Sequence, residues 1–416
     1  MKNKNLQEKL KAFGPGILTA TAAIGGSHIV SSTQAGALYG WKLLVIIILV
    51  NIFKYPFMSM GTKYALTTGD NLIVGYSKLK KRYVIIFYVL MLFSTVANLA
   101  AVAMLSGALI QFVLPQLSIR MWTIIIIIIS LLIVMLGGYK VLDKFSKIVM
   151  LSLTIFTIIA LIISAINYDP TFAQGFVENS PFNFASLPFM ISLMGWMPAP
   201  IELSVISSIW NVEKNKELEE KVSLKNGLLD YNVSYLMTIV LALCFLAMGV
   251  FTQYGKGTAI EGASAAYIKQ FVSMYANSFG EWSTPLIAII AFLCIFGTTF
   301  TVLDGYTRAT IESNNAIFGL KPSTKQKNIA YILFSLTAII VVVFFSDRVA
   351  LLMKIAMILS FLTAPYFAFI NYKVALNTPE IKISKPLKVL SILGFIFLVG
   401  FALLFIFAMF TGRAGL

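Results

Sequence analysis

Charge is scarce in this sequence: Asp, Glu, Lys and Arg make up 12% of 416 residues, against 59% hydrophobic residues and a mean hydropathy of +0.88. A water-soluble globule of this length needs more polar surface than that composition can supply, so a soluble domain is excluded. Histidine occurs once and cysteine twice. A single histidine excludes multi-histidine metalloenzyme designs. Cys244 and Cys294 lie in apolar runs without disulfide or metal-knuckle spacing and are expected to be buried free thiols. There is no P-loop, zinc-protease helix, kinase signature or Ser-His-Asp order, so no enzyme activity and no cofactor are expected. The polar, lysine-rich start, Met1 to Lys11, leads into an apolar run without a convincing cleavage site, and no removed signal peptide is expected. The net charge of +15 is dispersed over short loops rather than gathered into a basic domain, so nucleic acid is not an expected partner.

What is present is a series of apolar runs near 14–38, 43–65, 84–110, 121–138, 147–167, 184–208, 232–253, 284–306, 328–345, 349–372 and 388–411. Each is close to the roughly 20 residues that a helix needs to cross the hydrocarbon. The sequence therefore predicts an all-α, multi-pass protein of the cell membrane with about eleven transmembrane helices and the lipid bilayer as its first partner. Lys and Arg concentrate at the N-terminus and in every second loop, including Lys78, Lys80, Lys81, Arg82, Lys140, Lys144, Lys147, Lys321, Lys325, Lys327, Lys382 and Lys385. The positive-inside bias then puts the N-terminus in the cytoplasm and, with an odd helix count, the C-terminus outside. The mixed-sign stretch from Asn211 to Leu229 reads as a solvated connector.

Two runs carry residues hostile to a continuous helix. The first contains Gly25-Gly26-Ser27-His28 in mid-span, and each glycine costs about 1 kcal/mol against alanine. The sixth contains Met197-Pro198-Ala199-Pro200, where two prolines remove backbone donors and clash with the preceding turn. Both spans are expected to unwind there, and backbone left unpaired at membrane depth must face a cavity, protein or ligand. The chain resumes in the two places as Ile29-Val30-Ser31-Ser32 and Val205-Ile206-Ser207-Ser208. Breaks in spans one and six fit a five-plus-five inverted repeat with one extra helix: a cytoplasmic segment 1–13, repeats over 14–167 and 168–372, and a loop with the last helix over 373–416.

Gly14-Pro15-Gly16-Ile17-Leu18, then Gln34-Ala35-Gly36-Ala37 and Gly40, together with the Met197-Pro198 break, resemble the first and sixth helices of the Nramp (natural resistance-associated macrophage protein) metal transporters. The resemblance implies the leucine-transporter (LeuT) fold and a divalent transition metal moved with protons. In that family Asp-Pro-Gly-Asn in helix one and Met-Pro-His in helix six help hold the metal. Here Gly25, Gly26, Ser27 and His28 stand at the first motif, and Ala199 replaces the histidine of the second, while Met197 and Pro198 remain. The anionic ligand is thus missing, and one thioether with one imidazole suits hard divalent ions poorly.

Ionisable residues within a span are functional candidates because burying them in lipid is costly. Lys54 lies mid-span, too deep to snorkel, and reads as a functional residue or as the partner of a backbone carbonyl or of Glu202. Glu202, in the first turn of the resumed sixth helix, reads as a site or gating residue or as a cap. His28 suits proton coupling or soft-metal ligation, or else hydrogen-bonded packing. Asp304 and Arg308 are spaced for an i,i+4 ion pair, with gating as the alternative. Asn51, Asn98, Thr298, Thr299, Thr301, Ser360 and Thr363 are lining candidates.

These readings converge on an alternating-access transporter with its substrate site at the two breaks, built from Gly25, Gly26, Ser27, His28, Met197, Pro198, Ala199 and Glu202. Two cargoes remain open. One is a divalent metal held by His28, Met197 and Glu202. The other is a non-metal solute, with Lys54 standing in for a bound cation. A channel lacks a continuous polar stripe, and a transport-inactive sensor lacks an output domain.

Overall fold

The computed structural model describes residues 12–218, 221–257, 268–273, 280–345 and 348–414, without the side chains of 137–142 and 283. The N-terminal lysines Lys2, Lys4, Lys9 and Lys11, and with them most of the 1–13 segment, lie outside the described residues. The described residues are helical, with no strand among them.

The first apolar run is split. Helix α1 (Pro15–Ala23) opens with proline in its first turn and ends at Ile24, whose backbone leaves the helical region. The chain re-enters through a π-helical turn over Ser27–Ser32 and continues as α2 (Thr33–Tyr39). Helix α3 (Leu44–Thr68) closes on Gly69, which takes the left-handed conformation at φ 80° that glycine adopts without a steric penalty. A short helix α4 (Leu72–Leu79) follows, capped by Asn71 Oδ1, which accepts from the amides of Ile73 and Val74. Helices α5 (Lys81–Val113) and α6 (Ile119–Ile166) come next.

The sixth run is split as well. Helix α7 (Leu187–Trp196) stops where Met197 becomes extended, and helical structure resumes as α8 (Leu203–Glu217). Helices α9 (Leu224–Thr252), α10 (Thr284–Phe318), α11 (Thr324–Phe345), α12 (Val349–Leu376) and α13 (Lys385–Phe410) complete the described chain.

Among the described residues, nine helical stretches are long and apolar enough to cross a membrane. One of them runs continuously over Ser27–Thr68, joining the second half of the first run to α3, and α7 is too short to count. The two broken runs thus account for the difference from the eleven apolar segments of the sequence. Two expectations change. The lysine-bearing turn placed between runs four and five is helical, and α6 carries both apolar stretches, Ile119–Leu136 and Asp143–Ile166, on one continuous backbone. An i,i+4 ion pair, Lys147 Nζ to Asp143 Oδ2 at 2.8 Å, sits in that stretch and favours helix. The supposed connector 211–229 begins as the last turns of α8, and its Glu213 and Lys214 meet partners on other helices. Mixed charge in sequence does not reveal such partners.

Packing follows small residues. Gly36 on α2 lies against the Leu246 carbonyl on α9, and Gly249 on α9 lies against the Thr33 carbonyl. Gly61 on α3 lies against the Ser204 carbonyl on α8, and Gly195 on α7 against the Met357 carbonyl on α12. Each contact is closer than any side chain would permit, as small residues allow between membrane helices. The half-helix α2 thereby packs on α9 much as the half-helix α8 packs on α3. Helices α6, α11 and α13 turn large apolar side chains outward, among them Leu136, Phe344 and Phe410, as a lipid-facing surface requires.

Candidate functional site

The two breaks meet in the interior. Between them lies a small pocket. Ala22, Ala23, Gly25 and Gly26 form its wall at the first break, Trp196, Pro200, Leu203 and Ile206 at the second, Asn98 and Val102 on α5, and Thr298, Val302 and Tyr306 on α10. The glycines are there for room. A Cβ at Gly25 would stand 3.3 Å from the Thr298 methyl, and one at Gly26 3.2 Å from the Trp196 ring. The free carbonyls of the first break are met from α10, where Thr298 Oγ1 donates toward Thr21 O at 3.0 Å and Ile24 O at 3.2 Å, and Cys294 Sγ donates to Ile24 O at 3.2 Å.

The second break is met by Lys54. This side chain is fully buried, and its Nζ donates to the carbonyls of Met194 at 2.6 Å, Gly195 at 2.9 Å and Ala199 at 3.0 Å. An ammonium has three protons, and here each finds a carbonyl, two in the last turn of α7 and the third in the break beyond it. Of the alternatives for Lys54, the backbone carbonyl is its hydrogen-bond partner, and no ion pair within 4 Å joins it to Glu202.

Glu202 is buried beside the N-terminus of α8, and its side chain makes no cap hydrogen bond to the helix. Its Oε1 accepts from the Tyr306 hydroxyl at 3.2 Å, and the Tyr306 oxygen accepts from Asn98 Nδ2 at 2.9 Å. Tyr306 gives its single proton to Glu202 and so can only accept from the amide. The amide orientation follows, leaving Asn98 Oδ1 buried without a hydrogen-bond partner.

His28 is fully buried and turned away from this pocket. Its Nε2 faces the Thr238 carbonyl at 3.2 Å and can only donate to it. Its Nδ1, 2.9 Å from Ser27 Oγ, then accepts from that hydroxyl. Neither nitrogen keeps a free lone pair in this arrangement. Met197 is buried, and Pro198 lines a second, smaller cavity between α1, α3 and α9. Of the residues expected at the site, Gly25 and Gly26 line the main pocket, Ala199 offers its carbonyl to Lys54, and Glu202 stands behind Tyr306. Ser27 and His28 bond to each other and toward α9. Among the described residues, no group of three or more His, Cys, Asp and Glu side chains converges as a metal site would.

Asp304 and Arg308 form the ion pair that their spacing implies, Nε to Oδ2 at 2.8 Å. They belong to a larger buried cluster. Asp304 also accepts from Trp210 Nε1 at 3.1 Å and from Tyr331 OH at 2.6 Å, and Arg308 reaches Glu213 at 3.0 Å, tying α8, α10 and α11 together.

Asp230, which nothing in the sequence singles out, holds the other half-helix. From α9 its Oδ2 accepts from the amides of Gly16 at 2.7 Å and Gly14 at 3.3 Å, capping α1. The free amides after Gly14-Pro15 were a signal that a buried acceptor is required. Outside the membrane, the loop before α7 is held by Lys256, which donates to Asp169 O at 2.6 Å and Thr171 O at 3.0 Å. The Thr171 hydroxyl and amide, with Lys256, hold the Asp169 carboxyl down at about 2.

Comparison with known proteins agrees with this architecture. The family model described as natural resistance-associated macrophage protein-like matches residues 16–408. An uncharacterized protein of Pasteurella multocida is 44% identical over 402 residues, covering 96% of this chain and 92% of its own. A divalent metal cation transporter, MntH, of Staphylococcus aureus is 23% identical over 256 residues, covering 60% of this chain and 56% of its own. Among solved structures, the Eremococcus coleocola manganese transporter superposes with a TM-score of 0.72 at 16% identity, over 96% of this chain and 86% of that one. Mhp1, a nucleobase-cation-symport-1 family transporter, superposes with a TM-score of 0.55 at 13% identity, over 95% and 92%.

Proposed function

The chain belongs to the Nramp family and is a multi-pass membrane protein with the fold that Nramp and LeuT-like transporters share, and from that premise we propose that it is an alternating-access transporter of a small non-metal solute. Lys54 would occupy the place where a bound cation would otherwise hold the second break together. In this reading the broken spans one and six are symmetry partners in a five-plus-five arrangement of about eleven helices, with a cytoplasmic N-terminus. The exchange-related packing of α2 on α9 and α8 on α3 supports it.

The observation that carries the reading is the seating of Lys54 on three carbonyls of the broken span. Backbone oxygens at a helix break are natural cation ligands, and here an ammonium already takes their lone pairs. A divalent ion would meet a fixed positive charge there. At the other break it would meet glycine and a histidine committed to Ser27 and Thr238. A helix can part from Lys54 only by leaving three carbonyls bare, so the ammonium also gives α7 one strongly preferred seat.

The metal reading rests on family cargo, and the Staphylococcus and Eremococcus relatives are described as metal transporters. Reconstitution into proteoliposomes decides between the two. Uptake of Mn2+, Fe2+, Cd2+ and Mg2+ under a pH gradient is expected to match protein-free vesicles. Saturable Mn2+ or Cd2+ uptake reduced by substitution of His28 or Met197 would establish the metal cargo instead.

A further inference from the structure

The main pocket is selective in a way that its hydrogen bonds spell out. Its wall carries four polar side chains, and the donor atom of each already makes a hydrogen bond. Trp196 Nε1 donates to Ser360 Oγ at 3.1 Å, and Thr298 donates to backbone carbonyls at 3.0 and 3.2 Å. Asn98 Nδ2 donates to Tyr306, and Tyr306 to Glu202. The one atom among them without any partner is Asn98 Oδ1, on a side chain only 3% exposed. An acceptor buried without a partner is costly, so a ligand that brings a donor to it relieves that cost. The rest of the wall is apolar: Val102, Leu203, Ile206, Val302 and the Trp196 ring face the space. No carboxylate, ammonium or guanidinium lines it. A charged ligand would shed its water there without a counter-charge, which is costly at membrane depth.

We propose that this pocket binds a small neutral molecule with an apolar body and an N–H group, such as a primary amide, lactam or N–H heterocycle, through donation to Asn98 Oδ1. The proposal rests on the transport reading only in taking the pocket for the cargo site. The binding chemistry stands apart from whether cargo crosses. The Asn98–Tyr306–Glu202 relay sets the polarity. The Tyr306 hydroxyl donates to Glu202 Oε1 and accepts from Asn98 Nδ2, so the oxygen is the end of the amide left without a partner.

The test uses the full-length protein purified in detergent and matched probes on benzyl, phenethyl and isobutyl bodies: primary amides, N,N-dimethyl amides, carboxylates and primary amines. Affinities come from equilibrium dialysis, with thermal shift as a second readout. Primary amides are expected to bind on at least one body, with dimethyl amides about tenfold weaker, the worth of one hydrogen bond of about 1.4 kcal/mol, and with amines and carboxylates weaker still. Asn98→Leu is expected to erase the preference for primary over dimethyl amides. Asn98→Asp is expected to shift preference toward amines, a gain that shows the variant is folded.

Equal binding of primary and dimethyl amides, tighter binding of carboxylates or amines by the unmodified protein, or no binding by any of the set would overturn the proposal. Amide binding without counterflow of any probe in proteoliposomes would keep the pocket chemistry and remove the transport reading. Counterflow of another solute class without amide binding would do the reverse.

Discussion

Lys54 Nζ lies 2.6 Å from the carbonyl oxygen of Met194, in the last turn of a half-helix that the sequence itself interrupts. A strongly hydrated point charge has been taken wholly out of water, and the carbonyls of Gly195 and Ala199 complete its shell. Together with Asp230 on α1, it makes a pattern: each half-helix of the broken spans that precedes its break is held by a charged residue from a continuous helix, an anion at the amide end of α1 and a cation at the carbonyl end of α7.

Replacing Lys54 with Met keeps the volume and removes the donors. Three buried carbonyls lose a partner, and a loss of roughly 2–4 kcal/mol is expected. Thermal unfolding in detergent should show it as a marked fall in melting temperature, with faster hydrogen exchange over 187–199. An unchanged melting temperature would mean that the carbonyls find water.

Asp230→Ala removes the cap of α1. The expected cost is about 1–2 kcal/mol, with exchange at Gly14 and Gly16 accelerated most. Asp230→Asn keeps an acceptor oxygen and is expected to lose less than half as much. Equal losses would show that charge, not acceptance, is what matters.

Arg308→Gln leaves Asp304 buried with only Trp210 and Tyr331 as donors. Breaking a buried pair by removing one partner costs roughly 3–5 kcal/mol. Glu213→Gln, on the more exposed side of Arg308, should cost well under 1 kcal/mol. The contrast between the two variants in the same melting assay checks the geometry.

The Asp169 carboxyl is held at about 2 rather than 3.8 by Thr171 and Lys256. A depressed carboxyl stabilises its contacts above the unfolded value and loses them as pH falls toward the folded one. The loop before α7 should therefore keep its contacts from neutral pH down to about 4 and release them between about 4 and 2. Lys256→Met should move that release upward in pH, and limited proteolysis of the loop across pH reads both.

Much of this was legible because backbone chemistry is local. Pro198 and Pro200 cannot continue a helix wherever they sit, and Gly25-Gly26 in mid-span has no use in a regular one. Both breaks therefore follow from the chain itself. Lys54 announced itself because a lysine at that depth must have a partner, but which of its candidate partners it took depends on how α7 approaches α3. Asp230 and Glu213 were hidden because they stand at span edges, where charge ordinarily faces water. Tyr306 was hidden because an aromatic in an apolar run looks like core until Asn98 and Glu202 are brought to either side of it. The continuity of α6 through Lys144 and Lys147 was hidden by the same lysines that set the predicted topology.

The measurement that bears most directly on the account is calorimetric titration of Mn2+ and Cd2+ into the purified protein at neutral pH. With Lys54 seated on the carbonyls and His28 closed by Ser27 and Thr238, no saturable heat is predicted for either ion. Saturable binding of either ion that disappears in Met197→Ala would contradict it.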